Sequence, residues 1–134
     1  MNKQETPIHN SPFSEEELEQ FEEMLKKEHK ESEKKVSQYE DRLEDLESNM
    51  DDNSSSSAHH QGNIGTSEDE REKYYIMIEK EKEKQEEINM ALNRIETGNY
   101  GICKVTGNPI KKERLMAVPY AKYSIEAKKE NAPA

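Results

Sequence analysis

Few residues of this chain have types and spacings that could do chemistry. Cys103 is the only cysteine among 134 residues. A thiol nucleophile works beside a base, yet the segment around it, residues 98–129, holds no histidine. A lone cysteine of this kind reads as a small buried hydrophobe. His59 and His60 invite a metal, but neighbours on a helix do not face each other. No third ligand of matching spacing lies nearby, so the pair is expected in a polar loop. His29 falls on a weak part of an apolar stripe and reads as a tolerated, partly exposed side chain. The run GNIG at 62–65 lacks the following glycine and the Lys-Ser/Thr pair that cradle phosphates. The many glutamates occupy exposed helix positions rather than converging in a pocket, as a catalytic site requires. Arg114 is expected to act as a structural clamp, with Glu113 or the C-terminal segment. No enzymatic activity is expected.

The elements that position these residues differ sharply in character. The chain is 37% charged and 30% hydrophobic, with no Trp and two Phe. Ordinary globular domains are about 45–50% apolar, so this one must be largely disordered or built from long helices that bury a narrow stripe. Residues 1–70 carry 7 basic and 20 acidic side chains, a net −13. Residues 71–97 are near neutral at −1, and residues 98–134 carry +4. The acidic half would repel phosphates, which argues against duplex DNA binding along it. No apolar run approaches the roughly 20 residues that span a bilayer. Met1 to Pro12 is polar, unlike a secretory leader. One cysteine suits a reducing compartment, so a cytoplasmic location is expected, with no membrane partner.

Periodicity favours helices over disorder. Residues 1–13, with Pro7 and Pro12, read as a flexible arm. Ser14 and Glu17 form a capping box, and Phe13 and Leu18 occupy the positions of a hydrophobic staple. Leu18, Phe21, Leu25, Val36, Tyr39, Leu43, Leu46 and Met50 then recur at steps of three and four, a coiled-coil pattern. The helix is predicted over about 14–49, roughly 50 Å at 1.5 Å per residue. Residues 50–67 break the pattern with Asp, Asn and Ser. A second helix is predicted from near Thr66 or Ser67, where Ser67 and Glu70 make another capping box. Its stripe runs through Tyr74, Ile78, Glu81, Gln85, Ile88, Leu92 and Ile95, and Gly98 stops it. Two matched stripes joined by a loop predict an antiparallel hairpin, in which the polar gap at His29 and Ser32 faces that at Glu81 and Gln85. Pairing of two chains would satisfy the same stripes.

Residues 98–129 differ from everything before them. Gly98, Gly101, Gly107, the Asn108-Pro109 turn and Pro119 interrupt helix. Tyr100, Ile102, Val105, Ile110, Leu115, Val118, Tyr120, Tyr123 and Ile125 suffice for a very small core. The predicted organisation is an arm at 1–13, a hairpin at 14–97 with a tip loop at about 50–67, a compact module at 98–129 ending in a helix, and a tail at 130–134. The fold class is mainly α.

Arg94, Ile95, Glu96, Gly98, Tyr100, Gly101, Ile102 and Cys103 run on into Gly107, Ile110, Arg114, Leu115, Ala117 and Pro119. This pattern resembles the C-terminal module of the DksA/TraR family of bacterial transcription regulators. Four-cysteine members hold zinc through two C-x-x-C pairs, whose positions fall here on Cys103, Thr106, Ser124 and Ala127. A structural zinc needs four Cys or His ligands, so the resemblance implies a zinc-finger-like module without zinc and no cofactor. Hydroxyl hydrogen bonds and a small apolar cluster would stand in for the metal. Tyr100, Ile102, Ile110, Arg114, Leu115 and Pro119 are its expected core and contacts.

The resemblance also implies a partner, bacterial RNA polymerase. In that family the hairpin enters the secondary channel and modulates initiation without sequence-specific DNA binding. The expected polymerase-facing tip comprises His60, Asn63, Ile64, Gly65, Thr66, Glu68 and Asp69. The family's tip acids fall on His60 and Asn63, which carry no carboxylate; Asp51, Asp52, Glu68 and Asp69 lie close in sequence. The namesake's basic residues for the alarmone ppGpp fall on Glu87, Val118 and Lys128, of which only the last is basic, so alarmone dependence is not expected. The alternative reading is a coiled-coil structural adaptor that has lost the polymerase role.

Overall fold

The structure, a computed structural model, describes the backbone of residues 10–53 and 61–130 and the side chains of residues 10–48 and 68–127. Two long helices, α1 (Glu15–Asn53) and α2 (Gln61–Thr97), precede two short ones, α3 (Lys112–Ala117) and α4 (Ile125–Glu130). Extended pairing among the described residues is limited to an isolated antiparallel bridge between Ile102 and Pro109. The mainly helical class and the long antiparallel helix pair agree with the sequence reading. The chain divides into two compact units, Met1–His29 with Glu86–Ala134, and Lys30–Gln85.

Within Lys30–Gln85 the helices pair antiparallel: Ser32 meets Glu81 and Gln85, and Tyr39 meets Tyr74 further along α1. Val36, Leu43 and Ile78 are buried, with Tyr39 and Tyr74 packed against them. The expected polar layer forms. Ser32 is 1% exposed. Its hydroxyl donates to Glu81 Oε1 at 2.7 Å and accepts from Gln85 Nε2 at 3.0 Å. A polar group inside a coiled-coil seam fixes register at a cost in stability. Ser32→Ala removes both bonds and strands two polar side chains. It is expected to cost about 1–2 kcal/mol in denaturant unfolding; an unchanged midpoint would show the layer to be energetically idle.

Both long helices extend further than their sequence signals suggested. Helix α1 runs to Asn53 instead of ending near 49, and α2 begins at Gln61 instead of near Thr66 or Ser67. The loop expected at about 50–67 is correspondingly shorter, and Ser67 lies inside α2. A capping box is a local preference of about 1 kcal/mol. The extension of α2 passes through two glycines, Gly62 and Gly65, each costing about 1 kcal/mol; a cap marks a favourable start without forbidding an earlier one.

In the other unit, α1 starts where its capping box predicts. The backbone N–H of Ser14 donates to Glu17 Oε1 at 3.0 Å, and the N–H of Glu17 donates to Ser14 Oγ at 3.1 Å. Residues 10–13, expected in a flexible arm, are instead docked. The N–H groups of Asn10 and Ser11 both donate to the Gly98 carbonyl, at 2.8 and 3.0 Å. The Phe13 ring lies 5.2 Å from Phe21 and 6.2 Å from Tyr100. Sequence periodicity could not reveal this, because the partner is a loop some ninety positions away. Residues 1–9 lie outside the described residues.

The core of this unit joins Leu18, Phe21 and Leu25 of α1 to Ile88 and Ala91 of α2 and to Tyr100, Cys103, Ile110 and Leu115 of the module. Helix α2 ends with Gly98 at φ 83°. The Asn99 N–H reaches back to the Arg94 carbonyl at 2.8 Å and the Gly98 N–H to that of Ile95 at 3.3 Å. These bonds satisfy carbonyls that the helix end leaves open, in the Schellman pattern. Two expected core residues are exposed instead, Val105 at 55% and Ile125 at 43%. Val105 rides the outside of the tight turn closed by the Gly107 N–H on the Cys103 carbonyl. Helix α4 turns Ala127, not Ile125, inward.

Candidate functional site

The module is built around one sulfur. Cys103 is 1% exposed. Its Sγ accepts from the Thr106 N–H at 3.5 Å and the Ser124 N–H at 3.3 Å. Ser124 Oγ then accepts from the Ala127 N–H at 3.1 Å. The four positions singled out from sequence are thus brought together. The two turns are tied by backbone bonds from Cys103 to the Asn108 carbonyl at 2.8 Å and from Lys104 to the Lys122 carbonyl at 2.9 Å.

This donor set does not fit a zinc ion. One thiol, two hydroxyls and a methyl cannot supply tetrahedral N/S ligation. One hydroxyl already serves as the acceptor for the turn into α4. Groups of three or more metal-ligating His, Cys, Asp or Glu side chains are absent among the described residues. Helix α3 is fastened to the same region by Arg114, whose Nε donates to the Tyr123 carbonyl at 2.8 Å. That is the clamp onto the C-terminal segment expected from sequence. Tyr100, Ile110, Leu115 and Pro119 are buried and Ile102 is half-buried.

Burial pushes the Cys103 thiol up, but the Thr106 and Ser124 hydrogen bonds outweigh it and bring the pKa from an ordinary 9.0 down to about 6. A folded value below the unfolded one makes the thiolate stabilising. Its contribution is complete above pH 9 and is lost as pH falls through about 6. The stability gap between the native chain and Cys103→Ala is therefore expected to widen from pH 6 to pH 9. Direct titration of thiolate absorbance should show a midpoint near 6, superimposable with and without a chelator. A midpoint near the ordinary value, or a chelator effect, would contradict this account.

The tip residues are only partly placed. His60 lies outside the described residues. Asn63, Ile64, Gly65 and Thr66 fall within α2, while their side chains lie outside the described set. Glu68 and Asp69 are exposed on α2. Sequence reasoning missed the ion pair of Lys122 with Glu87, at 3.0 Å. It also missed the bond from Lys112 to Glu17 at 3.0 Å. Hydrogen bonding from the Ser14 backbone, followed by Lys112, lowers the Glu17 carboxyl below its usual value. Nothing in the local pattern marks either pair, since the partners are 35 and 95 positions apart.

A long helical pair and a small module of two turns around a sulfur-centred corner together define a helical hairpin protein with a zinc-finger-like module. Residues 98–130 match the family of prokaryotic dksA/traR C4-type zinc fingers. The structure is similar to that of transcription factor DksA2 from Pseudomonas aeruginosa, with TM-score 0.73 and 28% identity, covering 87% of this chain and 84% of that one. General stress protein 16O of Bacillus subtilis is 41% identical over 68 residues, 51% of this chain and 42% of the relative. The RNA polymerase-binding transcription factor DksA of Caulobacter vibrioides is 48% identical over 44 residues, 33% of this chain and 31% of the relative. The matches thus span less than half the length of these two relatives. The finger of residues 98–130 and the likeness of the fold to DksA2 support membership of the DksA/TraR family. The chain departs from the four-cysteine pattern in the family's description by retaining Cys103 alone.

Proposed function

We propose that this protein regulates transcription by binding RNA polymerase, with its helical hairpin entering the secondary channel to modulate initiation. The observation that carries this reading is the structural likeness to DksA2, which extends over 87% of the chain and so includes the long helices as well as the finger. The Caulobacter relative is named for polymerase binding. Long paired helices are also a physically apt probe for a narrow pore, rising 1.5 Å per residue. With His60 and Asn63 at the aligned tip positions, the carboxylates on hand along α2 are Glu68 and Asp69. Such groups interact with basic channel walls or with a bound Mg²⁺. One of the three positions that would hold a basic alarmone contact is Glu87, already engaged by Lys122. A carboxylate there repels phosphates, so regulation independent of ppGpp is part of the proposal. Among the described residues no helix is long and apolar enough to cross a membrane.

The test is binding of the full chain to core RNA polymerase from the same organism, with a photo-crosslinker placed between 62 and 67. Binding at about micromolar affinity or better is expected, with crosslinks to secondary-channel residues and no gain on adding ppGpp. Glu68→Gln with Asp69→Asn should weaken the effect on initiation while leaving binding largely intact. Absence of binding at micromolar concentrations would favour the adaptor reading instead, and a clear gain with ppGpp would refute alarmone independence.

A further inference from the structure

A cavity of about 720 Å³ opens between the end of α2 and the first turn of the module, lined in part by Met90, Asn93, Arg94, Asn99, Ile102 and Lys104. Its volume lies within the roughly 300–1,000 Å³ of small-molecule sites. Its chemistry is unusual for a chain of net charge −10. Two cations line it, and no carboxylate does among the described lining residues. The guanidinium of Arg94 is half-buried, and its Nη2 is buried without any hydrogen-bond partner. Burial lowers the Arg94 pKa, offset in part by the charge of Glu87. That carboxylate is hydrogen-bonded to Lys122 instead. A guanidinium remains charged in proteins, and a buried charged donor left unpaired bears the full cost of its desolvation. The side chain lines the cavity, so a turn of the guanidinium toward an acceptor held there would remove that cost.

Other features of the lining narrow the ligand. Asn93 and Asn99 offer amide groups, and Met90 and Ile102 offer apolar surface, Met90 being 42% exposed. Arg94 and Lys104 give the lining an excess of positive charge. An anion with an apolar body matches this mixed lining better than a bare anion does. Guanidinium pairs with carboxylate through two parallel hydrogen bonds. A metal ion is disfavoured by the cations, and the lining contains no aromatic side chain on which a base could stack. We propose that this cavity binds a small organic monocarboxylate with a short apolar body, its carboxylate held by Arg94 and Lys104 and its body resting on Met90 and Ile102. The site is independent of the polymerase reading.

The test is NMR titration of the full chain with sodium butyrate and, separately, with inorganic phosphate, against sodium chloride at equal ionic strength. Butyrate is expected to give saturable shifts at the Arg94 guanidinium and at the Asn93 and Asn99 side-chain amides, with phosphate weaker. Arg94→Gln should weaken butyrate by about tenfold, the value of one charge-assisted hydrogen bond. Lys104→Gln, an exposed change that leaves the core untouched, should weaken it as well, and Lys26→Gln on the outside of α1 should not. Non-saturable shifts, binding unaffected by Lys104→Gln, or phosphate binding as tight as butyrate would each overturn the assignment.

Discussion

Replacing Tyr100 by Ala is expected to unfold the unit formed by Met1–His29 and Glu86–Ala134. Tyr100 is fully buried, and its ring lies 5.2 Å from Phe21 and 6.2 Å from Phe13. It therefore joins the docked arm, α1 and the module in one contact. Its hydroxyl donates to the Pro119 carbonyl at 2.7 Å. Truncation of a large buried aromatic costs about 3–5 kcal/mol, and the orphaned carbonyl adds about 1–3. A small unit has little more than that to lose. Tyr100→Phe removes the hydrogen bond alone and is expected to cost about 1–2 kcal/mol. Denaturant unfolding followed by circular dichroism reads both variants. A loss below about 1 kcal/mol for the alanine variant would show that the module does not depend on this ring. Burial also pushes the Tyr100 phenol well above its ordinary 10.0, against a smaller opposing pull from Arg94. A raised folded value for a group that is neutral when protonated means its contribution is intact below pH 10 and falls away as pH climbs beyond that.

The second large effect is expected at Gly101, where conformation and space both exclude a side chain. Its φ is 85°, and a Cβ there would lie 2.5 Å from Phe13 Cε2 and 3.0 Å from Cδ2. The left-handed conformation costs an L-residue about 1–2 kcal/mol. Displacing Phe13 from Phe21 and Tyr100 costs about as much again in lost aromatic contacts. Gly101→Ala should therefore lose about 2–4 kcal/mol, measurable as a lowered unfolding midpoint. The two causes separate in a Phe13→Ala background, where the clash vanishes and only the backbone cost remains. An identical loss in both backgrounds would mean that the arm yields freely. Gly107 is the control: its φ is 74°, but nothing lies within 4 Å of its would-be Cβ, so only the backbone part applies.

The features legible in the sequence were those written in short-range patterns. The capping box at Ser14 and Glu17, the glycine stop at Gly98 and the heptad stripe depend on neighbours three or four positions apart, and all three are present. Even the polar layer could be anticipated, because an antiparallel pairing maps one gap onto the other. The spacing of Cys103, Thr106, Ser124 and Ala127 likewise brings those four positions together without further thiols. Four features were not legible: the docking of residues 10–13 on Gly98 and Gly101, the Lys122–Glu87 pair, the cavity beside Arg94 and the outward turn of Val105 and Ile125. Each depends on which surfaces meet after the chain has turned back, and no local period encodes that. The helix ends nearest the tip differ from the sequence reading because a capping signal is a preference of only about 1 kcal/mol and does not forbid helix beyond it.

The docking of Asn10 on the loop after α2 bears on how the chain is made. Asn10 Nδ2 donates to Asn99 Oδ1 across a separation of 89 residues, and Phe13 closes over Gly101. None of these contacts can form until both long helices have been synthesised. At the usual pace of about 5–20 residues per second, residues 10–13 and the apolar face of α1 therefore wait several seconds for their partners. Contacts of such long range are also the slow ones to nucleate. During that interval Leu18, Phe21 and Leu25 lack the partners from α2 and the module that bury them in the folded chain. Their flanks are densely acidic, with Glu15, Glu16, Glu17, Glu19, Glu22 and Glu23, and like charge keeps one nascent chain from sticking to the next. The same acidity that shapes the finished surface thus protects the unfinished one.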